Sequence, residues 1–405
     1  MRGFGFCRGG GTVSRFNFFA ERPVEKYKKA DTALVVMTML LWGVGIVTLY
    51  FCSSRYGQRQ FGNSLHFVER QLISSAVGFV ALFFFASLKL EAVRKLLPLI
   101  VFGSLILCLF TFIPGIGVER NGARRWIKIP YFSTFQPSEA IKFALVLFLA
   151  NFFDKQERIV AEEEKTVFPA FFGLILFSGI VFAQQDFSTG MFIFLLGLVM
   201  FFVSGAKLSW FIPFSCLAIP AACLMILLNP FRVARLLGFI RPENYAQTFN
   251  YQTMSAFRAI SAGGLWGQGL GTGLARINSI PEVQSDYVFA GWVEAMGLLG
   301  VVLYLAMLLL FAWRAYYCAL TCSNRFGSLA TFGIATCIVA QSLANIAVVG
   351  GVLPSTGIPL PFFSSGGSSI IFTLAMCGFM INASRFENLE IVEDSEYGVG
   401  DAVYE

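Results

Sequence analysis

Residues 287–312 read YVFAGWVEAMGLLGVVLYLAMLLLFA, an apolar run broken only by Glu294. A helix rises about 1.5 Å per residue, so a run of this length can cross the roughly 30 Å hydrocarbon core of a bilayer. On either side of it, nine further segments meet the same criterion: 31–52, 71–88, 95–114, 137–153, 167–184, 187–206, 209–229, 328–350 and 368–384. The expected fold is therefore an all-α polytopic membrane protein with about ten transmembrane helices. Composition agrees, because 56% of the 405 residues are apolar and 13% are charged, about half the charge of a soluble domain.

The spans divide the chain into a basic tail (1–30), a membrane domain (31–384) and an acidic tail (385–405). The tail before Ala30 carries Arg2, Arg8, Arg15, Arg22, Lys26, Lys28 and Lys29 without an apolar core, so no secretory signal is expected and the first span itself targets the chain. The longest polar gap, 229–286, is read as a large extracytoplasmic loop between helices 7 and 8. An even number of crossings puts both termini on one side. Placing them in the cytoplasm leaves 17 Lys and Arg inside and 12 outside, with Lys142 in the membrane, which follows the positive-inside rule by a modest margin. Most of the outside charge sits in two loops, as Arg120, Arg124, Arg125 and Lys128, and as Arg232, Arg235, Arg241, Arg258 and Arg276. Translocating so many basic groups points to an anionic ligand, since the planar fork of Arg donates paired hydrogen bonds to phosphate. Contact with membrane lipid headgroups is the plainer alternative.

Ionisable groups at membrane depth are costly and are functional candidates by default. They are Glu139, Lys142, Asp186, Asp286 and Glu294. Glu139 and Lys142, three apart on one helix face, could neutralise each other or bind substrate. Asp186 is explained as an N-cap, and Glu294 as a partner for a neighbouring helix. Asp286 closes the long loop just before the chain re-enters the membrane. Desolvation there raises a carboxylate toward the range useful for a general base, while neighbouring Arg opposes the shift.

Several chemistries are disfavoured. His66 is the only histidine, and Cys318 and Cys322 are the only close cysteine pair, so His-based catalysis and a zinc or redox centre are not expected. Gly263–Gly273 (GGLWGQGLGTG) lacks the strand–helix context of a nucleotide loop. Its glycines instead allow tight turns and close approach to a ligand or another helix. The proline- and glycine-rich stretch 354–369 is a shaped, non-helical element that must be buried in protein or line a cavity. No nucleic-acid partner is expected.

Four motifs then occur in order over roughly residues 30–385: Asn121-Gly122-Ala123-Arg124-Arg125-Trp126; Gln136-Pro137-Ser138-Glu139; Pro281-Glu282 with Ser285-Asp286; and TGIPLPF at 356–362 with SGGSS at 365–369. In these the chain resembles the SEDS family (shape, elongation, division and sporulation). The resemblance implies a bacterial peptidoglycan glycosyltransferase of the cytoplasmic (inner) membrane, polymerising lipid II at its outer face. It also implies a class B penicillin-binding protein (a transpeptidase) and other divisome membrane proteins as partners. The family's essential aspartate maps onto Asp286, and its motif arginines map onto Arg124 and Arg125. Ser53-Ser54 and Phe67–Leu72 are similar to the division branch, FtsW, more than to the elongation branch, RodA. Three positions depart from the pattern: Gln185 stands for a usual Pro, Ser365 for Tyr, and Arg241-Pro242 near a usual Asp-Pro.

A glycosidase needs two carboxylates because a sugar alkoxide leaves poorly. A pyrophosphate leaves as a stable anion, so one base and positive charge suffice. Asp286 is the expected catalytic base, and Arg124, Arg125, Lys142, Glu139 and Glu282 are the expected substrate contacts. A divalent cation, Mg2+ or Mn2+, could share the charge with Asp286 or Glu282 as oxygen ligands, although no dedicated metal site is visible. A lipid II flippase and a pure scaffold are the competing readings.

Overall fold

The computed structural model describes residues 29–120, 123–128, 135–159, 167–205, 216, 220, 223–241, 251–270 and 283–386. Nearly all of both tails, most of the expected seventh span and Glu282 lie outside these residues. In chain order the described elements begin with α1 (Thr32–Phe61), α2 (His66–Ser87) and α3 (Leu90–Phe110). A hairpin of β1 (Gly117–Arg120) and β2 (Ala123–Ile127) follows, then α4 (Ser138–Ile159), α5 (Phe168–Ala183) and α6 (Phe187–Val203). The rest are α7 (Pro230–Ile240), α8 (Tyr251–Gly263), α9 (Val288–Thr321), α10 (Arg325–Val349) and α11 (Gly367–Ala383).

Most of the expected segment 209–229 lies outside the described residues, and among those residues helices stand at nine of the ten expected apolar segments. Five of them, α1, α2, α3, α9 and α10, are long and apolar enough to cross a membrane by length and composition. Their ends differ from the apolar boundaries for a physical reason. Hydropathy marks where lipid ends, whereas a helix ends at its cap. α1 thus continues through Arg55 and Arg59 until Gly62 adopts φ 69° and closes it on the Gln58 carbonyl. α1 begins on Asp31, whose carboxylate accepts from Leu34 N at 2.7 Å, and α10 begins on Asn324, which accepts from Gly327 N at 3.2 Å.

The two ends of the bundle sort consistently. Asp31 N donates to Ser384 Oγ at 3.0 Å, so the chain enters α1 and leaves α11 at the same end, as an even number of crossings requires. Arg314 near the end of α9 grips the Asp31 carboxylate through Nε and Nη2. Burial raises the Asp31 pKa, but the Arg314 bond, the Leu34 N–H and the charge of Arg314 outweigh it and hold the carboxyl below its ordinary value. At that same end Arg94 of α3 pairs with the buried Asp154 of α4 at 2.6 Å, and its guanidinium lies 4.7 Å from the centre of the Phe326 ring.

Two short helices and a hairpin occupy what the sequence reads as loop. α8 lies inside the 229–286 segment and buries Ala256 and Ala259. Beyond it, the glycine-rich stretch enters a break in α9. Gly297 takes φ 63° and ψ −156°, which no helix accommodates, and the break frees backbone groups. The incoming chain satisfies them in the manner of a strand. Gln268 N and Gly269 N donate to the Glu294 and Ala295 carbonyls at 2.9 and 3.1 Å, and Leu298 N donates to the Gly264 carbonyl at 2.9 Å. These glycines serve close approach to another helix, one of the two roles expected of them.

The approach leaves no room for a side chain at Gly267. A Cβ there would stand 2.2 Å from the Ala295 carbonyl oxygen at a backbone φ of 80°. At Gly264 (φ 54°) the same atom meets nothing within 4 Å. Gly264→Ala is expected to cost about 1–2 kcal/mol from the backbone alone, and Gly267→Ala is expected to cost clearly more. Thermal unfolding in detergent checks the order; equal shifts would contradict the docking of this segment on α9.

Candidate active site

The hairpin sets the first functional group. The register of the hairpin steps from Val118↔Trp126 to Glu119↔Arg124 and skips Arg125, a bulge that aims the Arg125 side chain apart from that of Arg124. Arg124 pairs across the strands with Glu119, Nε to Oε2 at 3.0 Å, and both side chains are more than half exposed. Arg125 turns inward, with its Nη1 3.4 Å from Asp186 Oδ1. The backbone of β2 is pinned in this pose by Arg124 N, which donates to the Gln184 carbonyl at 3.2 Å at the end of α5. Gln184 is in turn fixed by its own amide, which donates to the Cys108 carbonyl and to Thr111 Oγ1, both at 3.0 Å.

Asp186 is the N-cap of α6, as expected, accepting from Thr189 N at 3.4 Å. It does more than cap. Gln136 Nε2 donates to its other oxygen at 3.2 Å, and Gln136 N donates to Ser368 Oγ at 3.1 Å. One buried carboxylate therefore ties together the hairpin, the entry to α4, the α5–α6 turn and, through Gln136, the start of α11. The preceding residue, Gln185, holds φ 65°, a conformation open to Gln but closed to the Pro usual in the resembled pattern.

Asp286 ends a turn over 283–286, immediately before α9. Its backbone carbonyl accepts from Asn345 Nδ2 at 2.9 Å, and the neighbouring Gln284 carbonyl accepts from Ser365 N at 2.7 Å. The side chain meets Arg125 at Gly357 of the 356–362 segment, where φ is 91°. A methyl group placed on Gly357 would stand 3.4 Å from Asp286 Oδ2 and 3.8 Å from both terminal nitrogens of Arg125. The carboxylate and the guanidinium thus face one point, and the bare glycine leaves space there.

α7 adds positive charge. Arg232 donates from Nη2 to Gln185 Oε1 at 3.0 Å and from Nη1 to the Met225 carbonyl at 2.8 Å. Its guanidinium lies 5.2 Å from the centre of the Phe187 ring. Arg235 sits among the site charges. Burial and then the like charge of Arg125 push its pKa down, against the pull of Tyr287, Asp286 and Asp186. The tyrosine is itself held by Thr253 of α8, Oγ1 to OH at 3.1 Å.

Glu139 and Lys142 are 2.8 Å apart and both are about 2% exposed. Lys142 Nζ also donates to Gln341 Oε1 at 2.5 Å, and Gln341 Nε2 donates to the Pro359 carbonyl at 2.9 Å. The two charges neutralise each other beneath the 356–362 segment, to which Gln341 links them. Glu282 lies outside the described residues. Among those residues no three His, Cys, Asp or Glu side chains converge on one point.

A model of the FtsW/RodA/SpoVE cell cycle proteins matches residues 32–389. The chain belongs to this family. It is 32% identical to a probable peptidoglycan glycosyltransferase FtsW of Geobacter sp. (strain M18), over 90% of this chain and 98% of that protein. It is 34% identical to the stage V sporulation protein E of Bacillus subtilis (strain 168), over 89% and 98%. A solved structure described as the structural coordination of polymerization and crosslinking by a peptidoglycan synthase complex contains a similar chain. That chain has a TM-score of 0.70 and 26% identity, with 88% of this chain and 98% of that one covered. These two relatives carry FtsW and sporulation names, in line with the lean away from RodA. The span matched by the FtsW/RodA/SpoVE model contains Arg125, Asp186, Arg235, Asp286 and Gly357.

Removing one member of a buried ion pair strands the other charge. Lys142→Met is therefore expected to destabilise the protein by about 3–5 kcal/mol, and Glu139→Gln added to it is expected to restore most of the loss. Thermal unfolding of the three proteins checks this; a double variant no better than the single one would contradict it.

Proposed function

We propose that this chain is a peptidoglycan glycosyltransferase of the bacterial cytoplasmic membrane, polymerising lipid II into glycan strands at the outer face with both termini in the cytoplasm. The observation that carries the reading is the meeting of Asp286 and Arg125 at Gly357. It joins one base to one fixed positive charge, as displacement of a pyrophosphate requires. The FtsW name borne by one relative supports the activity and its assignment to septal wall synthesis.

In the proposed reaction Asp286 takes the proton from the acceptor sugar hydroxyl. That oxygen forms a bond to the anomeric carbon of the donor as the carbon–oxygen bond to pyrophosphate breaks, and the lipid pyrophosphate leaves with both electrons. Arg125 stabilises the charge that develops on it, and Asp186 and Gln136 keep Arg125 aimed at Gly357. Arg124, engaged with Glu119 on the exposed face, contributes little. A bound divalent cation, Mg2+ or Mn2+, would supply further positive charge at the pyrophosphate, and comparing polymer yield before and after chelation tests that need. A class B penicillin-binding protein is the proposed partner, supported by the synthase complex that contains the similar chain. Other divisome membrane proteins complete the proposed setting. The flippase reading rested on Glu139 and Lys142, which here bind each other and Gln341.

Polymerisation of lipid II by the purified protein tests the assignment. Asp286→Asn is expected to lower the rate by about 10²–10⁴, the usual contribution of a general base. Near-normal polymer from it would overturn the role. Arg125→Ala is expected to lose about tenfold to a hundredfold, the worth of a charged hydrogen bond. Arg124→Ala should stay within about threefold, since an exposed pair is worth little. Equal losses from the two arginine variants would contradict the geometry.

A further inference from the structure

The segment that carries Gly357 is poor in its own hydrogen bonds. Pro359 and Pro361 have no N–H to donate, and an irregular backbone at membrane depth must still satisfy its carbonyls. α10 supplies the donors from side chains. Gln341 and Asn345 are four residues apart and so lie on one face of the helix. Gln341 donates to the Pro359 carbonyl. Asn345 Nδ2 donates to the Ile358 carbonyl at 2.9 Å and to the Asp286 carbonyl at 2.9 Å.

An amide nitrogen has two hydrogens, and both are spent here. Because both partners are acceptors, the nitrogen must be the atom that faces them. Asn345 is 1% exposed, and its Oδ1 has no hydrogen-bond partner among the described residues. A buried acceptor left in that state is costly, which an apolar side chain would avoid. The residue is thus unfavourable for packing and suited to holding two backbones together. One of them projects the Asp286 carboxylate, and the other follows directly on Gly357.

We infer that Asn345 is a positioning residue for Asp286, fixing the carboxylate in register with Gly357 and the Arg125 guanidinium by joining two backbones from its place in the helix. This rests on the reading of Asp286 as the base. Loss of the bridge lets the 283–286 turn and the 356–360 segment move apart while Arg125 and the substrate contacts stay. Chemistry slows and binding persists, because a misplacement of about 1 Å can cost on the order of a hundredfold in rate.

The test is steady-state lipid II polymerisation by purified, monodisperse Asn345→Leu, Asn345→Ser, Ser342→Ala and Asp286→Asn proteins. Leu matches Asn in side-chain heavy atoms and branching, is somewhat bulkier and donates nothing, whereas Ser can serve one carbonyl. Ser342 is buried on the same helix and bonds to the Ile338 carbonyl, so its variant controls for a general disturbance of α10. The expected result is a kcat lower by roughly tenfold to a hundredfold for Asn345→Leu, with KM within about threefold, partial recovery for Asn345→Ser, and near-normal kcat for Ser342→Ala. Folded Asn345→Leu with normal kcat, or with its loss confined to KM, overturns the inference. If the Leu protein does not fold, a normal kcat for Asn345→Ser overturns it equally. An active Asp286→Asn protein removes the reading beneath it, whereas an inactive one beside normal Asn345 variants removes this inference alone.

Discussion

A guanidinium drawn partly out of water at the edge of a membrane loses hydration, a cost that an anion and hydrogen-bond acceptors must offset. Arg125 finds its anion in Asp186 at 3.4 Å, and much of the outer end of this bundle follows from that need. The carboxylate must be buried to reach it, so Asp186 draws in Gln136 as a second donor and caps α6 with its remaining capacity. The hairpin must present the arginine inward, so β2 is tied to Gln184 and through it to α3. What faces the arginine from the other side is Asp286, across a residue that has no side chain. The buried pair thus holds a positive charge that faces the Asp286 carboxylate across Gly357.

The second constraint is backbone satisfaction. Two non-helical segments enter this bundle, and each is met by a different device. The 264–269 stretch pairs main chain to main chain with α9 where Gly297 breaks the helix. The 356–360 stretch, where Pro359 has no N–H to pair, is held instead by the amides of Gln341 and Asn345. The Lys142–Glu139 pair lies beneath that ladder, with Lys142 bonded to the oxygen of Gln341. A buried ion pair contributes little net stability compared with apolar packing, so its value here lies in orienting an amide.

Much of this is legible in the sequence, and the parts that are not share a cause. Apolar runs locate nine helices among the described residues because burial in lipid is read residue by residue. They misjudged the ends of α1 and α9, where polar residues continue a helix beyond the lipid. They also missed α7, α8 and the β-hairpin, whose polar composition gives no signal against a loop. Asp286 was singled out by its place at the loop's end. Arg124 and Arg125 are neighbours in a motif, and only the bulge in β2 separates them. The turn at Asp186 predicts a cap, which the structure shows, but its pairing with Arg125 joins residues that no local pattern relates.

By itself the sequence determined the class, the apolar spans, the common side of the polar motifs and the candidate base, since each depends on composition or order along the chain. The tertiary structure alone decided which arginine faces Asp286, that Glu139 and Lys142 support the site from within, and that Asn345 reaches a carbonyl 59 residues away. Those contacts depend on how helices cross and where the backbone between them turns. Such geometry is set by the packing of the whole bundle and leaves no periodic trace in any one segment.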